Sequence, residues 1–185
     1  MSYFEPQNDK DCTIHSINNA MGRRVISKRE VLSHIGARVK VYAAKLGLDV
    51  RDERVKVYRN KLSTDSTFFS AEAVWKAAEE LGHIGKQVPV PGYGGKFTKV
   101  ASLPTWVREK SSIVLLGLDA AGGMHAVAVR EGKLLDSQLH NRGYRPFTDK
   151  ELSKSLSNIF AAYVIYEPSE TPHQIKRTQP ASTQV

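Results

Sequence analysis

The sequence predicts an α+β protein in which N-terminal helices pack on a C-terminal antiparallel sheet. Before residue 90, helix-capping residues are followed by apolar residues at a spacing of three to four. After residue 112, the apolar residues instead form short runs separated by tight turns, as in a sheet of neighbouring strands. The pattern therefore changes from helical to extended a little beyond the middle of the chain.

Two helices are predicted in the first 47 residues. Asp11 is placed to cap the first helix, and Gly22 is placed to end it. The sequence Ser27-Lys28-Arg29-Glu30 is a capping box, which opens a second helix that ends near Gly47. The inward-facing apolar positions are Ile14, Ile17 and Met21 in the first helix and Val31, Ile35, Val39 and Ala43 in the second.

A third long helix is predicted after a charged segment. Residues 49–67 are charged and only weakly periodic, and we expect this segment to be mobile. Ser70 can cap the third helix, and Gly82 can end it. Its predicted inward positions are Ala73, Val74, Ala77 and Leu81.

Strands are predicted to dominate the rest of the chain. A short strand at 87–90, a glycine-rich loop at 91–95 and a short helix at 104–110 precede the main strands. The run at 113–118 is continuously apolar, which is typical of a central strand buried on both faces. Further strands are predicted at 124–130, 133–138 and 160–166, and a second capping box, Thr148-Asp149-Lys150-Glu151, predicts a helix through Leu152 and Leu156.

Composition limits the possible classes of protein. The chain has 185 residues, which suits one domain over residues 1–167 and a polar, disordered tail over residues 168–185. No apolar run approaches the ~18 residues that a membrane span needs. The single cysteine cannot form an internal disulfide or a multi-cysteine zinc site, and it suits a reducing compartment. The net charge of +8 favours an anionic or acidic partner surface.

That cysteine, Cys12, is the strongest candidate for chemistry. It is predicted to start a helix, where unpaired N–H groups and roughly +0.5 charge favour a thiolate. Gln7 lies five residues upstream, and its amide together with the free N–H groups could hold an oxyanion. A cysteine nucleophile needs a base, and the next candidates come from the predicted sheet.

The hairpin after residue 123 supplies a histidine and an acid. If Glu131-Gly132 is a two-residue turn, Val127 is opposite Asp136, and His125 is a diagonal neighbour of that acid on the same face. Their Cα atoms would then be roughly 7–8 Å apart. An acid there would fix the tautomer of His125 and turn its other nitrogen to the thiol. The order Cys, His, acid, with the cysteine on a helix, is that of papain-like enzymes.

These residues resemble those of a Josephin domain, the papain-like module of ataxin-3-type deubiquitinating cysteine proteases. Gln7, Cys12, His15 and the pair Asn18-Asn19 match the opening motif of that family. The sequence Asp65-Ser66-Thr67-Phe68-Phe69-Ser70 is similar to the family's Asp-Ser-Gly-Phe-Phe-Ser. His125 and Asp136-Ser137 match its later His and Asn-Ser, so the resemblance covers about residues 2–167.

The resemblance implies a papain-like fold and a thiol-dependent hydrolase that cleaves after the Gly-Gly end of ubiquitin. It implies Cys12, His125 and Asp136 as catalytic residues and Gln7 as the oxyanion donor. Residues 49–67 would correspond to a mobile helical hairpin that gates the ubiquitin tail, and Gly122 and Gly123 would bind that tail in a narrow groove. No metal or cofactor is required. The expected partners are conjugates of ubiquitin or a ubiquitin-like protein, acted on by a monomer in the cytoplasm or nucleus, or in a host's cytosol.

The sequence also departs from the family. Asp136 stands where the family has Asn, which adds a negative charge that stabilises an imidazolium. Ala126 replaces a bulky aromatic residue beside His125. Both differences affect the pocket rather than the order of the catalytic residues.

Other interpretations stay open at this stage. Gln-x4-Cys preceded by Asp also resembles bacterial leader-peptide peptidases, although those carry Gly where this chain has Thr13. A non-catalytic basic module is a third possibility, but no base-reading or base-stacking motif accompanies the charge, and we expect neither a nucleic acid nor a membrane partner. Cys12 could be an inert buried thiol and His125 a core histidine. His15 is expected to be structural, because it lies one turn along the same helix as Cys12.

Overall fold

The computed structural model of the protein describes residues 3–7, 11–64, 68–90, 112–139 and 144–169. The predicted loop at 91–95 and the short helix at 104–110 lie outside these residues, as does the tail beyond residue 169. In the described ranges, N-terminal helices pack on an antiparallel sheet formed mainly by the C-terminal half. The predicted α+β class is confirmed at this level.

Five helices are described, with bounds close to those predicted for the long ones. They are α1 Cys12–Met21, α2 Lys28–Lys45, α3 Glu53–Leu62, α4 Ala71–Glu80 and α5 Asp149–Leu152. The capping box at Ser27 forms as predicted, with Ser27 and Glu30 each bonded to the other's backbone N–H. Gly22 and Gly82 end their helices in the left-handed region, with φ of 70° and 73°, which favours glycine at a helix end.

The charged segment at 49–67 contains a helix that its weak periodicity did not predict in detail. Helix α3 packs against α2 through Val55, which is fully buried, and the rings of Tyr42 and Tyr58 stack at 4.2 Å. Two buried side chains, Val55 and Leu62, are enough to anchor a helix whose other faces are charged. One helix therefore occupies part of this segment, and the mobile hairpin over residues 49–67 stays a prediction.

Six strands of the described ranges form the main sheet, and each strand is antiparallel to its neighbours. Strands β1 Ser63–Thr64 and β2 Phe68–Phe69 form a separate pair. The main strands are β3 Val88–Pro89, β4 Ser112–Leu118, β5 Met124–Arg130, β6 Lys133–Leu135, β7 Arg145–Pro146 and β8 Asn158–Ile165. Their order across the sheet is β3-β8-β4-β5-β6-β7. Strand β4 is buried from Ile113 to Gly117 between β8 and β5, as its apolar run predicted.

Both faces of the sheet are covered, so alternate residues of each strand enter different cores. Val114, Leu116, Ala126 and Ala128 pack with the N-terminal helices. Ile113, Leu115, Val127 and Val129 pack on the other face, against a cluster that includes Leu152 and Leu156. Ser16 of α1 also donates a hydrogen bond to the Ala126 carbonyl at 2.8 Å, which fixes α1 on β5. No helix in the described ranges is both long enough and apolar enough to cross a membrane.

Three predicted details are wrong. Leu81 was expected to face inward but is 45% exposed, because α4 ends at Glu80 and Leu81 forms its C-cap. The strand predicted at 133–138 ends at Leu135, so Asp136 lies just beyond the ladder. The helix predicted through Leu156 ends at Leu152. Leu156 is still buried, but it lies in the segment between this helix and β8.

Gly117 of β4 packs closely against the backbone of Asn158 on β8, where a larger residue would not fit. It lies opposite His125 on β5, at an irregularity in the β4–β8 register, and a Cβ there would be 1.9 Å from the Asn158 carbonyl oxygen. We expect Gly117→Ala to lower the free energy of unfolding by about 1–3 kcal/mol or more, measured by urea denaturation.

Gly36→Ala is the matched control for this substitution. Gly36 lies on the exposed face of α2, and a Cβ there would have no heavy atom within 4 Å. Because alanine has a higher helix propensity than glycine, Gly36→Ala should raise the free energy of unfolding by about 0.5–1 kcal/mol. Equal effects of the two substitutions would contradict the close packing of β4 on β8.

Candidate active site

Cys12 is the first residue of α1, and the N-terminus of this helix is capped differently from the others. Ser27, Asp52, Ser70 and Thr148 each accept a backbone N–H of the helix that they precede. Asp11 is at the N-cap position of α1 but makes no side-chain cap hydrogen bond, and its carboxylate instead lies 3.0 Å from Lys28 Nζ. No Asp11 side-chain hydrogen bond therefore caps the N–H groups at the start of α1.

Cys12 and His125 line one pocket of about 210 Å³. Both are buried, with exposures of 7% and 2%. The other lining residues are mostly apolar: Asp11, Thr13, Ile14, Phe69, Ser70, Ala71, Val74, Leu116 and Met124. Because water screens little in such surroundings, a charge on the thiol or the imidazole would interact strongly with its neighbours.

The predicted hairpin register is observed. Arg130 pairs with Lys133 and Ala128 with Leu135, so Asp136 is the next residue after the ladder ends. His125 Nε2 and Asp136 Oδ1 are 3.0 Å apart, and both side chains are almost fully buried. The same imidazole ring lines the pocket together with Cys12, and its remaining nitrogen is Nδ1.

The electrostatics of this pair favour a protonated histidine. Burial alone would lower the pKa of His125, but the hydrogen bond with Asp136 and the interaction with the Cys12 side chain outweigh it and raise that pKa to about 9. Burial likewise acts to raise the pKa of Asp136, but hydrogen bonds with His125 and Ser155 outweigh it and lower that pKa. An imidazolium–carboxylate pair therefore persists at neutral pH.

Gln7 is connected to the residue that follows the acid. Its backbone N–H donates to the Ser137 carbonyl at 2.8 Å, and the Ser137 hydroxyl donates to Gln7 Oε1 at 3.1 Å. Because Oε1 accepts the hydrogen bond from Ser137, the Nε2 group of Gln7 points away from Ser137. Gln7 is 7% exposed, which agrees better with a positioned amide than with an ordinary surface residue.

Asn18 and Asn19, which the sequence analysis left without a role, hold the segment that carries Gln7. Asn18 Nδ2 donates to Glu5 Oε2 at 2.6 Å, and Asn18 Oδ1 accepts the backbone N–H groups of Val25 and Ile26. Asn19 exchanges two hydrogen bonds with the Glu5 backbone, at 2.6 and 3.0 Å. Both asparagines are fully buried, so they connect residues 3–7 to α1.

Three further residues have simpler explanations. The ring of His15 faces Glu5, with Nδ1 and Oε1 3.5 Å apart, and does not line the pocket, which supports its structural role. Gly122 and Gly123 form the turn between β4 and β5, where Asp119 Oδ1 accepts the Gly123 N–H at 2.8 Å. Neither glycine lines the pocket, although the next residue, Met124, does. Contact of Gly122 and Gly123 with a substrate therefore stays a prediction.

Arg145 and Ser155 are site-forming residues that the sequence analysis missed. Arg145 is 6% exposed, its Nη2 is 3.7 Å from Asp136 Oδ2, and the same nitrogen donates to Ser155 Oγ at 2.6 Å. A lone basic residue in a weak two-residue strand gives no local signal of burial. Among the described residues, no group of three or more His, Cys, Asp or Glu could hold a metal ion.

We expect His125 to make stability depend on pH in the alkaline range. Folding raises its pKa from 6.5 to about 9, so the native protein binds this proton more tightly than the unfolded chain. The resulting stabilisation is complete below about pH 6.5 and is lost as the pH rises through about 9. The difference in unfolding free energy between wild type and His125→Gln should fall by up to about 3 kcal/mol over this range.

Urea titrations at several pH values measure this difference directly. Asp136→Asn should reduce its pH dependence, because the amide keeps a hydrogen-bond acceptor but removes the charge that favours the imidazolium. Parallel stability curves for wild type and His125→Gln would show that His125 does not gain affinity for its proton on folding.

Comparison with models of known protein families gave no match to this chain, and comparison with curated proteins also gave none. The functional interpretation therefore depends on the residues and contacts described above. The most informative of these are the position of Cys12 at the start of α1, the shared pocket, and the buried pair of His125 and Asp136.

Proposed function

We propose that this protein is a papain-like cysteine hydrolase that cleaves peptide or isopeptide bonds after the Gly-Gly tail of ubiquitin or a ubiquitin-like protein. The main support is that Cys12, at a helix N-terminus, shares a pocket with His125. The Nε2 atom of that histidine is hydrogen-bonded to the buried carboxylate of Asp136. A thiol, a base and an orienting acid in this order form the arrangement needed for nucleophilic catalysis.

The proposed reaction is acyl transfer. The Cys12 thiolate attacks the carbonyl carbon, and the oxyanion that forms is held by the Cys12 backbone N–H and the Gln7 amide. His125, protonated at neutral pH, gives its proton to the leaving amine as the C–N bond breaks. Water, deprotonated by the now neutral His125, then hydrolyses the thioester and releases the carboxylate product.

The choice of a small, unbranched tail as substrate rests on the pocket and on the Josephin resemblance. The cavity of about 210 Å³ is smaller than the roughly 300–1,000 Å³ of sites that enclose a drug-sized ligand. A pocket of this volume suits glycine residues better than bulky side chains. The matches at Gln7, Cys12 and His125 to the family's motif add ubiquitin as the specific partner.

A ubiquitin probe with an electrophilic C-terminus tests this proposal. We expect one probe to attach to wild-type protein, seen as a mass increase of the intact chain, and none to attach to Cys12→Ala. His125→Gln should react at least about a hundredfold more slowly, because the base is lost. Gly36→Ala, which changes an exposed helix position, should react like wild type.

Two outcomes would contradict the proposal in different ways. If the ubiquitin probe does not attach but small thiol reagents modify Cys12 rapidly, the protein is a cysteine peptidase for another peptide, such as a leader peptide. If Cys12 reacts with neither, the thiol is an inert core residue and the protein has no cysteine-dependent activity.

The role of Gln7 can be separated from that of the nucleophile. Gln7→Ala should lower kcat by about 10²–10³ on a ubiquitin C-terminal amide substrate, because an oxyanion donor is lost. The rate at which iodoacetamide alkylates Cys12 should be the same in Gln7→Ala as in wild type, because that reaction forms no oxyanion. Ser137→Ala removes only the donor that orients Gln7 Oε1, so it should have a smaller effect. Unchanged hydrolysis by Gln7→Ala would assign Gln7 a purely structural role.

A further inference from the structure

Both oxygens of the Asp136 carboxylate are occupied. Oδ1 accepts hydrogen bonds from His125 Nε2 and from the Gln138 backbone N–H, each at 3.0 Å. Oδ2 faces Arg145 Nη2 at 3.7 Å, and Ser155 also donates to this carboxylate. A carboxylate held on both sides cannot rotate away from the histidine, and its negative charge is shared between two cations.

Arg145 is itself held by groups on the opposite side. Its Nη1 donates to the Glu151 carbonyl at 3.1 Å and to Glu151 Oε2 at 3.3 Å. Glu151 lies on α5, with a side chain 19% exposed, and it also accepts from Lys154 at 2.5 Å. A guanidinium that is 6% exposed is costly unless such partners compensate for its lost hydration.

The charged groups therefore alternate in sign from the surface to the pocket. Starting outside, the order of contacts is Lys154, Glu151, Arg145, Asp136 and His125, and then the thiol of Cys12. Asp11, which also lines the pocket, lies against Lys28 at 3.0 Å. Within this line, Arg145 is the cation closest to Asp136 on the side away from the histidine.

We propose that Arg145 is a positioning residue for the catalytic acid: its guanidinium keeps Asp136 ionised and fixed, and it limits how strongly Asp136 holds the proton on His125. This inference deepens the proposed function, because a general acid must release its proton to the leaving amine. An unopposed carboxylate would retain that proton, whereas a carboxylate shared with Arg145 releases it more readily.

A purely architectural role makes a different prediction. Arg145 also connects β7 to α5 through Glu151 and to the turn after α5 through Ser155, so its loss would lower stability in either case. Only a charge acting through Asp136 would change the proton affinity of His125. The proton affinity is therefore the property to measure.

The experiment is an NMR titration of the His125 ring in folded protein, with the resonance assigned by its absence in His125→Gln. In Arg145→Met, the midpoint should move upward by about one pH unit, because a nearby cation is removed. In Glu151→Gln, the midpoint should move downward by a smaller amount, because an anion is removed. Arg145→Lys, which keeps the charge, should titrate close to wild type.

Arg54→Met is the matched control, since Arg54 pairs with Asp52 on an exposed helix and should leave the His125 midpoint unchanged. Unchanged midpoints in both Arg145→Met and Glu151→Gln would overturn the inference and leave Arg145 an architectural residue. If Arg145→Met does not fold, Glu151→Gln decides the question: a downward shift of the His125 midpoint supports the inference, and a midpoint equal to that of wild type and Arg145→Lys overturns it. Normal labelling by the ubiquitin probe with an unresponsive His125 would refute this inference alone. A responsive His125 without labelling would instead refute the proposed substrate.

Discussion

The candidate site depends on the register of the β5–β6 hairpin, because this register places Asp136 on the same face of the sheet as His125. Glu131 and Gly132 both adopt positive φ, at 52° and 70°, which is the backbone of a two-residue hairpin turn. A slip of one residue would place Asp136 on the opposite face from His125. The 3.0 Å contact between them, and through it the protonation of the histidine, follows from this turn.

Local signals in the sequence predicted much of this architecture. The capping residues Ser27 and Ser70, the terminal glycines and the apolar run of β4 each depend on neighbours in sequence, and each forms as predicted. The pairing of His125 with Asp136 was predictable for the same reason, since a short turn sets it. The proposed chemistry goes further than these local rules, because it requires α1 to bring Cys12 to the same pocket.

Features that depend on distant contacts were not predictable. Arg145 is buried because Asp136 and Glu151, which are nine and six residues away in sequence, converge on it in space. Asn18 and Asn19 bond to a segment that precedes α1, and no periodicity signals such contacts. Leu81 matched the helical pattern but lies at the helix end, where the pattern has no partner to bury it. The negative charge of Asp136 is balanced by an arginine that only the fold brings near.

We propose that His125, oriented by Asp136, makes Cys12 a nucleophile rather than an inert core thiol. The most direct measurement is the rate of Cys12 alkylation by iodoacetamide near pH 6, where an ordinary thiol with a pKa of about 8.5 is almost wholly protonated. Folded wild-type protein should react at least about tenfold faster than the urea-unfolded chain, and folded His125→Gln should lose this advantage. Equal rates for folded wild type and folded His125→Gln would contradict it.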